Sequence, residues 1–135
     1  MALPNQVYHK RKLEQQLGFA QAVRAGSTLY VTGSVSWDED GNIMDPGDMG
    51  KQIQNVYQDI SETLKAHDAS LRNIVKETVY TTDLDALAKN ADVRARFFQG
   101  EDIAPPASSW VQVSRLGDPE WLIEVEVTAV LDQEY

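Results

Sequence analysis

The chain has no cysteine, and its only two histidines, His9 and His67, lie far apart in the sequence. Disulfides, thiol nucleophiles and thiolate metal sites are therefore excluded. Two isolated imidazoles do not make a metal site either, so no metal is expected. They also leave the Ser108-Ser109 pair without the adjacent base that a serine nucleophile requires. Positive charge is scarce as well: 12 Lys and Arg stand against 21 Asp and Glu, a formal net charge of -9. Such a field repels phosphate backbones and anionic bilayers, so neither nucleic acid nor membrane is an expected partner. The one basic cluster, His9-Lys10-Arg11-Lys12, reads as a solvated segment with His9 in a tail. No apolar run approaches the ~20 residues needed to cross a bilayer. Met1 to Gln16 lacks the apolar stretch of a signal peptide, and the expected location is the cytoplasm.

What is present suits one core. At 135 residues, with 42% hydrophobic content, the chain is expected to form a single domain over 1–135, with 1–17 as a flanking N-terminal segment. Thr28 to Ser34 reads as a strand, entered by the turn Ala25-Gly26-Ser27 and preceded by a candidate strand over Ala20 to Arg24. Trp37 to Ile43, with Asp40-Gly41, reads as a hairpin tip whose acidic residues Asp38, Glu39 and Asp40 are solvated. Asp48 after Pro46-Gly47 is an N-cap signal. Met49, Ile53, Val56, Ile60 and Leu64 then recur three or four apart, predicting a helix over 48–66. Val75 to Thr81 reads as a strand and Asp85 to Phe98 as a second helix, with Leu87, Ala91, Ala95 and Phe98 on its inner face. Gly100 and Pro105-Pro106 stop that helix. A strand is expected from Val111 to about Leu116.

The last strand, Leu122 to Leu131, alternates most clearly. Ile123, Val125, Val127, Ala129 and Leu131 form an apolar face, and Leu122, Glu124, Glu126, Thr128 and Val130 a mixed one. The order predicts an α+β fold, a mixed sheet with both helices on one side. Two helices cover one face only, so the other face is expected to meet a neighbouring subunit.

Several segments carry a resemblance. Gly18-Phe19-Ala20-Gln21-Ala22-Val23-Arg24 is similar to G-P-Y-S-Q-A-V, and Gly26 to Gly33 to G-N-x-L-Y-V-S-G. Val75 to Leu84 is similar to V-K-x-T-V-F-L-x-D-L, and Arg96-Phe97-Phe98 matches the end of a second helix. Pro106-Ala107-Ser108-Ser109-Trp110 to Leu116 is similar to P-A-R-T-C-V-x-V-A-R-L, and Ile123 to Ala129 to I-E-I-E-A-I-A. In this order the segments resemble the RidA/YjgF family of enamine and imine deaminases. The resemblance implies a chorismate-mutase-like fold assembled as a homotrimer, with clefts between subunits.

It also implies a chemistry. In the family's deaminases the arginine of P-A-R-T-C clamps the substrate carboxylate. A glutamate on the final strand, acting through a water, helps attack on the imine carbon. No metal or organic cofactor takes part. Here that glutamate is Glu124, but the arginine position holds Ser108, whose hydroxyl cannot replace a forked cation. Trp110 stands at the cysteine, and Phe19 at the tyrosine. The helix asparagine aligns with Ala91, and Asn90, one residue away, is turned about 100° around the helix. Thr32 keeps the hydroxyl before Gly33.

Loss of a buried charged contact of this kind costs about 2–5 kcal/mol of binding, so small 2-imino acids are not the expected substrates. Arg24, Arg96 and Arg115 are the substitute cations the sequence offers. The expected site therefore has Glu124 as the catalytic group, with Phe19, Thr32, Gly33, Asn90, Ser108, Ser109 and Trp110 around a small, more apolar ligand. Four of them have a plainer reading: Glu124 as a polar residue on a half-wet strand, Trp110 as interface packing, Phe19 as core, Gly33 as a bulge or close approach. The leading functional reading is a cofactor-free hydrolase of an enamine, imine or related metabolite. The alternative is a trimer that binds or senses a small metabolite without turnover. A ribonuclease reading is disfavoured by the charge.

Overall fold

The computed structural model describes residues 5–132. In chain order the elements are β1 (Gln6–Tyr8), α1 (Lys12–Leu17), β2 (Ala22–Ala25), β3 (Thr28–Ser34), α2 (Met49–Lys65), β4 (Ile74–Thr81), α3 (Leu84–Lys89), α4 (Ala91–Ala95), β5 (Ala107–Gln112) and β6 (Ile123–Val130). They make one six-stranded sheet in the order β1-β2-β3-β6-β4-β5. β4 and β5 are parallel and the other neighbours antiparallel, the mixed α+β arrangement expected.

Helix α2 begins where the sequence says it should. The Asp48 carboxylate accepts from the Lys51 amide at 3.0 Å, satisfying an orphan N–H of the first turn. Ile53, Val56, Ile60 and Leu64 have no exposed surface, and burial of such side chains stabilises by about 1.5–3 kcal/mol each. They pack on the apolar face of β6, where Ile123, Val125, Val127 and Ala129 are buried while Glu124, Glu126, Thr128 and Val130 are not. β3 and β4 both run antiparallel to β6, hence parallel to each other, and α2 is the crossover between them.

Three expectations need correction. The predicted second helix is two short helices and a 3-10 turn over Arg96–Phe98. It breaks at Asn90 (φ -112°, ψ 16°), whose side-chain amide donates to the Ala86 carbonyl at 2.8 Å, an alternative to continuing the helix. The strand expected over 111–116 lies at Ala107–Gln112 instead, because its bounds follow its pairing with β4, which ends at Thr81.

The basic N-terminal cluster is also not a solvated tail. Arg11 is 4% exposed; its Nη2 lies 2.9 Å from Asp59 Oδ1, its Nε donates to the Asp38 carbonyl, and its guanidinium stacks 4.7 Å from the Trp37 ring. Lys10 Nζ reaches Asp59 and Glu62 at 2.5 Å each. Burial opposes the charge of Lys10, but these carboxylates outweigh it and raise its pKa. The partners lie on α2, about 50 residues away, where local charge counting cannot see them. At the predicted hairpin tip Trp37 and Ile43 form an antiparallel bridge. There the Asn42 and Asp40 amides donate to the Asp38 carboxylate, holding its pKa below the usual range.

Candidate functional site

The residues expected at the site fall into two groups, which the sheet separates except for Ser109. The first has Thr32, Gly33 and Glu124 at the bulged end of β3, and Phe19 in the segment leading into the neighbouring β2. Between Val31 and Ser34 the β3–β6 register shifts, which brings Gly33 against β6. A Cβ at Gly33 would stand 2.4 Å from Glu124 Oε2, so the missing side chain is what makes room for that carboxylate. Glu124 is partly buried. Burial, and after it the neighbouring Glu126, raise its pKa above the ordinary value of 4.5. Glu126 shares this open face and accepts from the Tyr80 hydroxyl at 3.0 Å. Thr32 donates its amide to the Gln21 carbonyl at 2.9 Å. Two residues before Gln21, Phe19 borders a shallow depression with Val7, His9 and Gln15.

The second group lies toward the other end of the strand order, on β5. Glu77 is the register partner of Ser108, and Val79 of Trp110. Parallel neighbours in register share a face, so Ser108 and Trp110 are on the helix side of the sheet. Glu124, on the mixed face of β6 opposite Tyr80, points to the other side. Ser109 shares that open side and accepts from Lys76 Nζ at 3.0 Å. Asn90 sits in the helical layer, its Oδ1 3.0 Å from where a Cβ at Gly50 would be. Within one chain these residues do not converge on one pocket.

Around Ser108 is a polar cluster that sequence reasoning missed. Glu77 has no exposed surface. Its Oε2 accepts from the Tyr57 hydroxyl at 2.7 Å; its Oε1 accepts from Ser108 Oγ at 2.8 Å and from Arg94 Nε at 2.6 Å. Arg94 Nη2 is also paired with Oε1. The Trp110 indole N–H donates to Ser108 Oγ at 2.9 Å. The Arg94 guanidinium lies 4.7 Å from the Phe98 ring and 6.0 Å from that of Trp110. Burial lowers the Arg94 pKa, but Tyr57 and Glu77 outweigh it and the net shift is upward. Burial, then Glu77, pushes the Tyr57 phenol well above its usual range, fixing it as a donor.

The three arginines offered by the sequence are occupied elsewhere. Arg24 Nε donates to the Gly26 carbonyl, Arg96 pairs with Asp92, and Arg115 donates to the carbonyls of Leu116 and Gly117. Two signals pointed to the cluster. Position 94 falls on the inner stripe with Leu87, Ala91 and Phe98, and Glu77 is a charge in phase with inward Val79 and Thr81. Among the described residues no group of three or more His, Asp and Glu could hold a metal ion, and no helix is long and apolar enough to cross a membrane.

Comparison with known proteins bears on this geometry. The endoribonuclease L-PSP family matches residues 9–131. The chain belongs to that family, the RidA/YjgF family. A RutC family protein of Pyrococcus abyssi is 34% identical over 94% of this chain and 98% of its own length. The 2-iminobutanoate/2-iminopropanoate deaminase of Rattus norvegicus is 30% identical over 83% of this chain and 79% of its own. Among solved structures, Rv2704 of Mycobacterium tuberculosis, a YjgF/YER057c/UK114 family member, superposes with a TM-score of 0.79 at 25% identity, covering 94% of this chain and 99% of that one.

Proposed function

We propose that this RidA/YjgF family member is a cofactor-free hydrolase of an enamine, imine or related small metabolite, with Glu124 as the group that activates water. The carrying observation is the Glu124 carboxylate seated against Gly33, in a position where burial raises its proton affinity. A general base works best with a pKa moved toward the operating pH, and an imine carbon needs only water and a proton relay. The similarity to a rat iminobutanoate deaminase supports the reaction class.

The chain assembles as a homotrimer in this proposal, because the half-site of Phe19, Thr32, Gly33 and Glu124 is separated by the sheet from the half-site of Asn90, Ser108 and Trp110. A second copy can bring one half against the other. The open sheet face supports this, with Tyr30 and Val130 exposed on it at 53% and 42%. Ser109, on that face, belongs to the contact between copies. The protein works in the cytoplasm on a small molecule. RNA, which the family description names, is excluded from the proposal by the -9 charge.

A non-catalytic binding or sensing trimer is the second reading. It is favoured by the state of Ser108, whose hydroxyl already donates to Glu77 and accepts from Trp110. The two readings part on one experiment: ammonia release from imines generated in situ, with wild type and Glu124→Gln compared. The proposal expects turnover above the uncatalysed rate, lowered about 10²–10⁴-fold in the variant with ligand affinity kept. Absence of turnover across a panel of apolar and aromatic imines refutes it in favour of binding. A monomer by light scattering removes the inter-subunit site.

A further inference from the structure

We infer that Arg94, reaching the β5 edge from α4, is the anion-recognising residue of this site, and that it takes a carboxylate whose carrier has an apolar or aromatic group lying against Trp110. This rests on reading the β5 edge as a ligand-binding half-site. Where the resemblance places an arginine on β5, the chain has Ser108, and a guanidinium stands beside that serine after all, delivered from a helix. Both touch the same oxygen, Glu77 Oε1.

The geometry leaves a usable edge. Every polar contact of Arg94 among the described residues runs through Nε or Nη2, to Glu77 and Tyr57. Guanidinium has five N–H donors; both protons of Nη1 and one of Nη2 remain, and one from each nitrogen forms the parallel pair that fits a carboxylate bidentately. Glu77 does not cancel this edge. Its side chain is fully buried, whereas the Arg94 side chain is 15% exposed, so of this pair only the cation is open to an incoming anion. Glu77 and Tyr57 act as positioning residues that fix the plane of the fork. Phe98 supports that plane at 4.7 Å, and Trp110, 37% exposed, is the adjoining apolar surface. The overall acidic field gives no long-range attraction for anions, so selectivity for a carboxylate must come from this local contact.

The test measures binding of benzoate, phenylacetate and hexanoate, each beside its uncharged amide, by calorimetry on the full-length chain. Arg94→Lys keeps a cation for Glu77 but loses the fork; Arg94→Gln with Glu77→Gln removes both charges and leaves no unpaired buried charge. Circular dichroism and thermal melting establish that each variant is folded. Wild type is expected to prefer carboxylates over amides by about ten- to hundredfold, the range for hydrogen bonds to a charged group. The preference should shrink to about threefold or less in whichever variant folds. In wild type itself, benzoate should shift the Arg94 guanidinium nitrogen resonances.

A preference that survives substitution of Arg94, an unshifted Arg94 resonance, or no carboxylate preference in wild type overturns the inference. Turnover of neutral imines without that preference refutes Arg94 and spares the hydrolase. An Arg94-dependent preference without any turnover does the reverse.

Discussion

Gly33→Ala separates the stability of this fold from its chemistry. Gly33 is not among the glycines with positive φ, so an alanine there meets no backbone strain. The new Cβ would stand 2.4 Å from Oε2, 2.8 Å from Cδ and 3.1 Å from Cγ of Glu124. All three atoms are in a flexible side chain, and a carboxylate displaced toward solvent can relieve the clash. Rotating that side chain off its preferred rotamer costs about 0.5–1.5 kcal/mol, while replacing glycine where φ allows returns about 0.4–1 kcal/mol through the unfolded chain. Net stability should therefore change by less than about 1 kcal/mol, or roughly 4 °C in Tm. Imine turnover should fall about 10²–10⁴-fold, as for loss of the base itself, because the carboxylate no longer sits where it was. Thermal melting and ammonia release on the same preparation decide the matter. Retained turnover at unchanged Tm would mean that Glu124 does not act from its place against Gly33. A loss above about 3 kcal/mol would mean that the contact is not soft.

Four further outcomes are expected. Because the Glu124 pKa is raised, the acid limb of the turnover–pH profile should lie above 4.5 and be absent from any residual activity of Glu124→Gln. The same shift opposes folding once the group ionises: its stabilising contribution is present below the unfolded pKa and lost as pH rises through the folded one. Glu124→Gln should thus melt no lower than wild type at about pH 7–8, and show no such advantage at about pH 4. Arg11→Met should destabilise by about 3 kcal/mol in urea titration, the low end for breaking a buried ion pair because Lys10 still reaches Asp59; a cost under about 1 kcal/mol would restore the solvated-tail reading. Single-stranded RNA should give no salt-sensitive binding by fluorescence anisotropy between about 50 and 200 mM salt, the range over which counterion release from phosphate contacts weakens a true nucleic-acid binder steeply.

Helix α2 and strand β6 were legible because each buries one face and the burial period is written in the residues: 49, 53, 56, 60, 64 in one, alternate positions in the other. The N-terminal cluster was not, since Arg11 is ordered by Asp59 on another element and nothing in 9–12 says so. β5 was misplaced for a related reason. Every residue of it is exposed, so no apolar period marks its bounds, and they follow instead from pairing with β4. At the site, the Glu124–Gly33 contact was half visible, as a strand glycine implying a bulge or close approach. Arg94 was passed over because its helix was read by its apolar stripe, and a cation on that stripe makes sense only once Glu77 is seen opposite.

Glu77, Arg94, Ser108 and Trp110 are best understood as one interdependent set. Positions 77 and 108 are register partners on the same face of parallel strands. A carboxylate buried at 77 needs donors, and the small Ser108 both supplies one and leaves the space through which the Arg94 guanidinium reaches Oε1. Trp110, with its indole N–H on Ser108 Oγ, then walls the outer side. An arginine at 108 would compete for that space and set a second guanidinium beside the first. Ser108→Arg alone is therefore not a return to the clamp of the family's deaminases: like charges at this distance repel, and the carboxylate at 77 would draw the new fork inward, away from a ligand. The absence of arginine from β5 is thus tied to Glu77 and to the cation on α4. In the proposed half-site the guanidinium is held from the helix side, by Glu77.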